Sequence, residues 1–192
     1  MSKLIYSLGL LLAALLLLVI IALFMPAQVT VERSLAIQAP PSLIHDYLID
    51  PEHFPDWSPW AQRDPAMEIH SVGEDRGEGL ILEWQSEREP DGRYEVRNTE
   101  DGAFVVHHLS VGPRMSGEGR FEIEPERTRQ RVTWSVDLEA GANPLDRYMI
   151  YFRQDALGES MLSGLTHLKV RTEADRTPFP EERDDSPEND SP

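Results

Sequence analysis

The sequence predicts an α+β domain carried behind a transmembrane helix, and three observations lead there. Leu4 to Met25 is a run of 22 residues without a charge. Several later segments alternate apolar and polar residues with the period of a strand, and one long segment near the end repeats apolar residues every three or four positions. The order that results is one strand, a helix pair, six strands and a long helix, with no internal repeat. Of the 192 residues, the apolar leader and the acidic last nineteen leave 148, Pro26 to Glu173, enough chain for one domain with a real core.

The leader, residues 1–27, reads as an uncleaved transmembrane anchor. As a helix its 22 uncharged residues span roughly 33 Å, against a hydrocarbon thickness of roughly 30 Å. A signal peptide has a shorter apolar stretch and ends in small residues; here Met25-Pro26-Ala27 offers neither. Lys3 precedes the helix and the next basic residue is Arg33. The positive-inside rule therefore keeps the N-terminus in the cytoplasm and exports the domain. In a bacterium that is a single-pass protein of the inner membrane with its domain on the periplasmic, or extracytoplasmic, side.

The middle, 28–173, is read element by element. Gln28–Gln38 alternates, with Val29, Val31, Leu35 and Ile37 on one face and Arg33 the odd member of that row. Ala39-Pro40-Pro41-Ser42 ends it, and Leu43–Ile49 forms a short helix. Pro51, Pro55 and Pro59 then impose a compact irregular segment holding Phe54, Trp57 and Trp60. Strands are expected at Met67–Val72, Leu80–Gln85, Arg93–Asn98, Phe104–Leu109, Arg120–Glu124 and Arg129–Leu138, joined by connectors rich in Gly, Asp and Glu. Asn143-Pro144 is a helix start, an N-cap followed by proline. From there an apolar stripe including Leu145, Tyr148, Phe152, Leu157, Met161, Leu165 and Leu168 predicts one helix to about Arg171. Gly158 and Gly164 within it predict close approach to another backbone, or a bend. Residues 174–192, rich in Pro, Asp and Glu, form a disordered acidic tail.

Composition excludes several functions. The formal charge is −16, of which the first 25 residues contribute +1 and the tail −5, leaving −12 on the domain. So acidic a surface suits neither nucleic acid nor an anionic membrane, because phosphate contacts need clustered Lys and Arg. The chain has no cysteine, which removes disulfides, thiolate metal sites and cysteine nucleophiles. The six histidines, His45, His53, His70, His107, His108 and His167, show no metal-binding spacing, and no metal or other cofactor is expected. Gly158-Glu159-Ser160 is not continued as a nucleophile elbow. Tyr94, Glu83 and one of His107 or His108 are the acid–base candidates, of equal weight; catalytic residues are not identified.

Four pieces carry a resemblance to a known superfamily: Val31-Glu32-Arg33-Ser34 running into Ile37-Gln38-Ala39-Pro40; Phe54-Pro55-Asp56-Trp57-Ser58-Pro59-Trp60 with Asp64-Pro65; Gly77-Glu78-Gly79 before Trp84; and Val132-Thr133-Trp134-Ser135 with Gly164-Leu165-Thr166-His167-Leu168-Lys169. In this order they resemble the SRPBCC superfamily of START and polyketide cyclase/dehydrase-like helix-grip proteins, and within it the membrane-anchored bacterial members. The sequence departs from them at Arg88-Glu89-Pro90-Asp91-Gly92-Arg93, where those relatives usually carry Gly-x-Gly. The resemblance implies a curved antiparallel sheet wrapped around the long C-terminal helix, commonly with an apolar cavity between them. Trp84, Phe104, Phe121, Trp134, Tyr148, Phe152 and Met161 would line that cavity, and Trp57 and Trp60 would form its rim. The same residues also read as plain core, and the two rim tryptophans as a plug. The implied function is binding of a hydrophobic small molecule or lipid. The alternatives are a cyclase or dehydratase acting on a polyketide-like substrate, and a non-catalytic envelope interaction domain whose protein partners the sequence does not name.

Overall fold

The computed structural model describes residues 2–113, 115–140, 143 and 145–176. Its elements are α1 (Ser2–Phe24), β1 (Gln28–Ile37), α2 (Pro41–Ile49), α3 (Phe54–Trp57), α4 (Pro59–Arg63), β2 (Glu68–Gly73), β3 (Leu80–Gln85), β4 (Gly92–Glu100), β5 (Phe104–Val111), β6 (Met115–Glu126), β7 (Arg129–Glu139) and α5 (Leu145–Asp175). The seven strands form one antiparallel sheet in the order β1-β7-β6-β5-β4-β3-β2. From β2 to β7 each strand pairs with its successor, and β1 pairs with β7 in the register Val31↔Val136. A register shift between Val96 and Asn98 marks a bulge, which bends the sheet locally. α5 packs along β1, and α2 to α4 cover the rest of the same face. This is the α+β helix-grip arrangement that the sequence predicts.

Three elements differ from expectation, each for a local reason. β6 starts at Met115 rather than Arg120, because its first residues contain two glycines that weaken the strand pattern. Both glycines are needed: a Cβ on Gly117 would lie 2.2 Å from the Asp137 carbonyl oxygen, and one on Gly119 would lie 2.3 Å from His107 Nε2. The proline-rich segment is helical, not irregular. Pro55 and Pro59 occupy first turns, where a missing N–H costs nothing. α5 runs to Asp175, so Ala174 and Asp175 belong to the helix and not to the tail; the Tyr47 hydroxyl donates to the Asp175 carboxylate. At its other end Asn143 Oδ1 accepts from the Leu145 N–H at 3.0 Å. Pro144 and the tail from 177 to 192 lie outside the described residues.

The space between sheet and helix is occupied by aromatic rings. Phe121 stacks on Trp134 at 4.7 Å, and Trp60 on Trp84 at 5.5 Å. Trp57 stands edge-on to Tyr94, Phe121 and Trp134 at 5.6–5.8 Å. The polar ends are satisfied as well: Trp57 Nε1 donates to Tyr47 O, Trp84 Nε1 to Pro90 O, Tyr94 Oη to Leu48 O and Trp134 Nε1 to His107 Nε2, all at 2.8–3.2 Å.

Both glycines of α5 sit at close approaches, but only Gly164 meets another backbone, as the sequence predicts, while Gly158 meets a side chain. A Cβ on Gly158 would meet the Arg33 guanidinium at 2.2 Å, so the odd member of the β1 inner row is explained by the same contact. A Cβ on Gly164 would lie 3.1–3.3 Å from the Trp134 ring, Pro59 and the Trp57 carbonyl. Arg33 is the far end of a flexible chain and is able to move, whereas the neighbours of Gly164 are packed on all sides. Gly164→Ala is therefore expected to destabilise by about 1–3 kcal/mol, while Gly158→Ala, gaining helix propensity of up to about 1 kcal/mol, is near neutral. Thermal unfolding of the two variants side by side checks this, and equal costs would contradict it.

Among the described residues, the main contact of α1 with the domain is with α5. Ala22 is buried. Arg147 Nη1 donates to the carbonyls of Ala22, Leu23 and Met25 at 2.8–3.1 Å, and Tyr148 Oη donates to Leu18 O at 2.9 Å. A cation on the terminal carbonyls of a helix is favoured by its dipole. By length and composition Tyr6–Phe24 is sufficient to cross a membrane.

Candidate functional site

Antiparallel pairing brings many strand ends to one end of the sheet. The start of β1 lies beside the end of β7 (Gln28↔Glu139), the start of β6 beside the end of β5 (Val111↔Met115), and the start of β4 beside the end of β3 (Trp84↔Gly92). The chain enters this end from α1, and α5 begins there. Between α5 and the β3–β4 and β5–β6 hairpins runs a groove of about 250 Å³. Trp60, Pro90, Val111, Met115, Ala156 and Leu157 give it apolar walls, and Arg63, Glu89, Arg153 and Ser160 a polar edge. Met115 and Arg153 also line a narrow cleft continuing along α5 to Met149, Ile150 and Leu138.

The polar edge is held in place. Arg63 forms a two-bond fork with the Glu89 carboxylate, 2.9 Å on each arm, and its third nitrogen reaches Ser160 Oγ at 3.2 Å. This ties α4, the β3–β4 loop and α5 together across the groove. The loop that departs from the relatives' Gly-x-Gly is thereby accounted for: Ser86 Oγ accepts from the Arg88 and Glu89 N–H groups, and Asp91 Oδ1 accepts from Ser86 N. A Cβ on Gly92 would lie 2.1 Å from the Trp84 ring, so the glycine is what lets the strand cross that indole. Arg153 is exposed and has no ion-pair partner among the described residues.

Of the residues expected to line a cavity, the structure brings Trp84, Phe121, Trp134 and Met161 together, all within the sealed core. Phe54, Trp57 and Trp60 from α3 and α4 are buried with them, Phe54 and Trp60 lying against the Trp84 ring at 5.7 and 5.5 Å. Trp57, expected at the rim, is buried among these rings; Trp60 is buried too, and one side of it forms part of the groove wall. Phe104 faces the other side of the sheet, where the Arg120 guanidinium lies 4.2 Å over its ring. Tyr148 points to α1, and Phe152 is 75% exposed.

The acid–base candidates separate in the same way. Tyr94 and His107 face inward with ring centroids 4.8 Å apart. Burial pushes the Tyr94 phenol far up, and it pushes the His107 imidazole down to about 3, so both are neutral. Neither reaches the groove. His108 lies on the outer face and bonds Ser116, and Glu83 pairs with Arg93 at 2.6 Å. No group of three or more His, Asp or Glu suited to a metal occurs among the described residues. A second, wider depression on the far side of the β3–β4 loop is polar, lined by Asp64, Glu68, Gln85, Glu87, Arg88 and Asp91 among others. Its Asp64 is held below the usual carboxylate range, first by the Ser86 hydroxyl at 2.5 Å.

Residues 28–173 match the sequence profile of the family described as polyketide cyclase / dehydrase and lipid transport. The chain belongs to that family. Solved structures agree on the fold across the same domain. The Aha1 dimer from Colwellia psychrerythraea is 15% identical at a TM-score of 0.56, over 76% of this chain and 96% of that one. A protein from Rhizobium leguminosarum is 12% identical at 0.58, over 77% and 95%. The di-domain ARO/CYC StfQ from the steffimycin biosynthetic pathway is 16% identical at 0.56, over 77% of this chain and 52% of its own. No curated protein sequence matches the chain. The family thus carries a fold suited to hydrophobic ligands or polyketide-like substrates. In this member the groove residues Arg63, Glu89, Met115, Arg153 and Ser160 are not legible in the sequence, since they meet only through tertiary contacts between four separate segments.

Proposed function

We propose that this family member is a single-pass, membrane-anchored binder of an apolar molecule with an anionic head, such as a fatty-acyl lipid, held in the groove between α5 and the hairpin tips. The observation that carries the reading is position: the groove opens at the end of the sheet where α1 joins, so an anchored domain presents its binding surface to the bilayer. The apolar walls suit an acyl chain, and Arg153 at the edge suits its carboxylate or phosphate. A volume of about 250 Å³ holds a chain segment or one ring; it falls below the roughly 300–1,000 Å³ of sites that enclose drug-sized molecules. Size therefore favours a carrier over an enzyme that must enclose a whole polyketide. The sealed positions of Tyr94 and His107 favour the same reading.

Ala156 is exposed and lines the groove without entering the core. Ala156→Trp is expected to fill the groove and weaken binding of a fluorescent fatty-acyl probe at least about tenfold, or about 1.4 kcal/mol, with unfolding unchanged. Unaltered probe affinity in a folded A156W would remove the groove as the site. Orientation has a separate check. With the N-terminus cytoplasmic, a cysteine at Thr128 in the distal β6–β7 turn is modified by an impermeant maleimide once the outer membrane is opened, and the protein keeps its unprocessed mass.

A further inference from the structure

The apolar residues of α5 form two stripes, and only one belongs to the core. Leu157, Met161, Leu165, Leu168 and Thr172 are buried against the sheet. Phe152 precedes Leu157 by five residues, which rotates it by about 140° away from that face. It instead falls in line with Leu145 and Tyr148, spaced at three and four residues. Leu145, Tyr151 and Phe152 are 52%, 52% and 75% exposed, and Tyr151 and Phe152 pack edge to face at 5.7 Å. The sheet and α2 to α4 leave this stripe uncovered.

The contacts with α1 say what covers it. Tyr148, on the stripe, bonds Leu18 O, six residues or roughly 9 Å before the end of α1. Arg147 bonds the carbonyls at that end. If α1 spans the bilayer, the Tyr148 hydroxyl stands below the level at which the helix leaves the hydrocarbon, and the Arg147 guanidinium stands at the headgroup level. Tyrosine and arginine are favoured at those depths. Phe152 is one turn from Tyr148 on the same side. We infer that the first two turns of α5 are seated in the outer bilayer interface, with Leu145, Tyr151 and Phe152 inserted among the lipids beside α1. This rests on α1 being a span. It adds a second membrane contact beside α1, which fixes the domain against the bilayer, and it sets the groove's Arg153 and the adjoining cleft's Met149 at the lipid surface.

The cysteine-free chain makes the test direct. Single cysteines at Phe152, at Leu16 in α1 and at Thr128 are labelled with an environment-sensitive fluorophore. Each full-length protein is then reconstituted in phosphatidylcholine vesicles with bromine on the acyl chains. The expected result is blue-shifted emission quenched by the brominated lipid for F152C, as for L16C, with T128C neither shifted nor quenched. Quenching of L16C with F152C behaving like T128C would overturn the inference and leave the span intact. Blue-shifted but unquenched emission at F152C would also overturn it, showing cover by protein. An unquenched L16C would remove the span, and the inference with it.

Discussion

Trp134→Ala is expected to lower the unfolding free energy by about 3–5 kcal/mol. The indole is fully buried and touches four other rings: it stacks on Phe121 and meets Trp57, Trp60 and His107 at 5.8–6.5 Å. Removing it opens a cavity that cannot collapse, because Gly164 on α5 and Phe121 on β6 hold the surrounding backbone in place. It also takes the donor from His107 Nε2. Chemical denaturation of the full chain in detergent, followed by circular dichroism, measures the loss. A cost below about 1 kcal/mol would mean that the rings are not close-packed.

Acid is expected to destabilise the domain through His107 before the carboxylates contribute. Burial among Tyr94, Phe121 and Trp134 lowers this imidazole from 6.5 to about 3. Between those values the unfolded chain binds a proton that the folded chain refuses. The stability is therefore complete above pH 6.5 and falls as pH drops towards 3, by about 1.4 kcal/mol per unit at the steepest. His107→Gln keeps an acceptor for Trp134 and does not titrate. From pH 6.5 to 4.5 wild type is expected to lose about 2 kcal/mol more than H107Q. His45, whose pKa burial also lowers, is common to both proteins and cancels in the difference. Parallel curves would show that His107 is solvated or charged in the fold.

The sequence marks the residues behind these two effects only in part. Along β7 the alternation of Val132, Trp134, Val136 and Leu138 is clean, and each is buried as the pattern predicts. β5 is harder, because Phe104, Val105 and Val106 are apolar in a row and either parity fits locally. The inward set is Val105, His107, Leu109 and Val111, which turns Phe104 outward. A rule that favours the largest ring selects the wrong face there; the parity of Leu109 and Val111 selects the right one. The α5 stripe misleads for a similar reason. Two apolar stripes overlap in its first half, and only the contact with α1 separates them. The rings of α3 and α4 are legible as aromatic, but whether they cap a cavity or fill it depends on three-dimensional volume that no local pattern encodes. The groove is less legible still, since the Arg63–Glu89–Ser160 link joins residues 26 and 97 positions apart.

For function, the consequence is a change of location. The proposed function places binding at the open end of the grip, between α5 and the hairpins, and that is the end nearest to α1. The measurement that addresses this most directly is photo-crosslinking of the full-length protein in its native membrane with a lipid carrying a diazirine on its acyl chain, followed by peptide mapping. Crosslinks are expected on Met115 and on α5 between Met149 and Leu157, in addition to those on α1, and those in the groove are expected to disappear in A156W. Crosslinks confined to α1, with the groove peptides unmodified, would contradict binding at the open end.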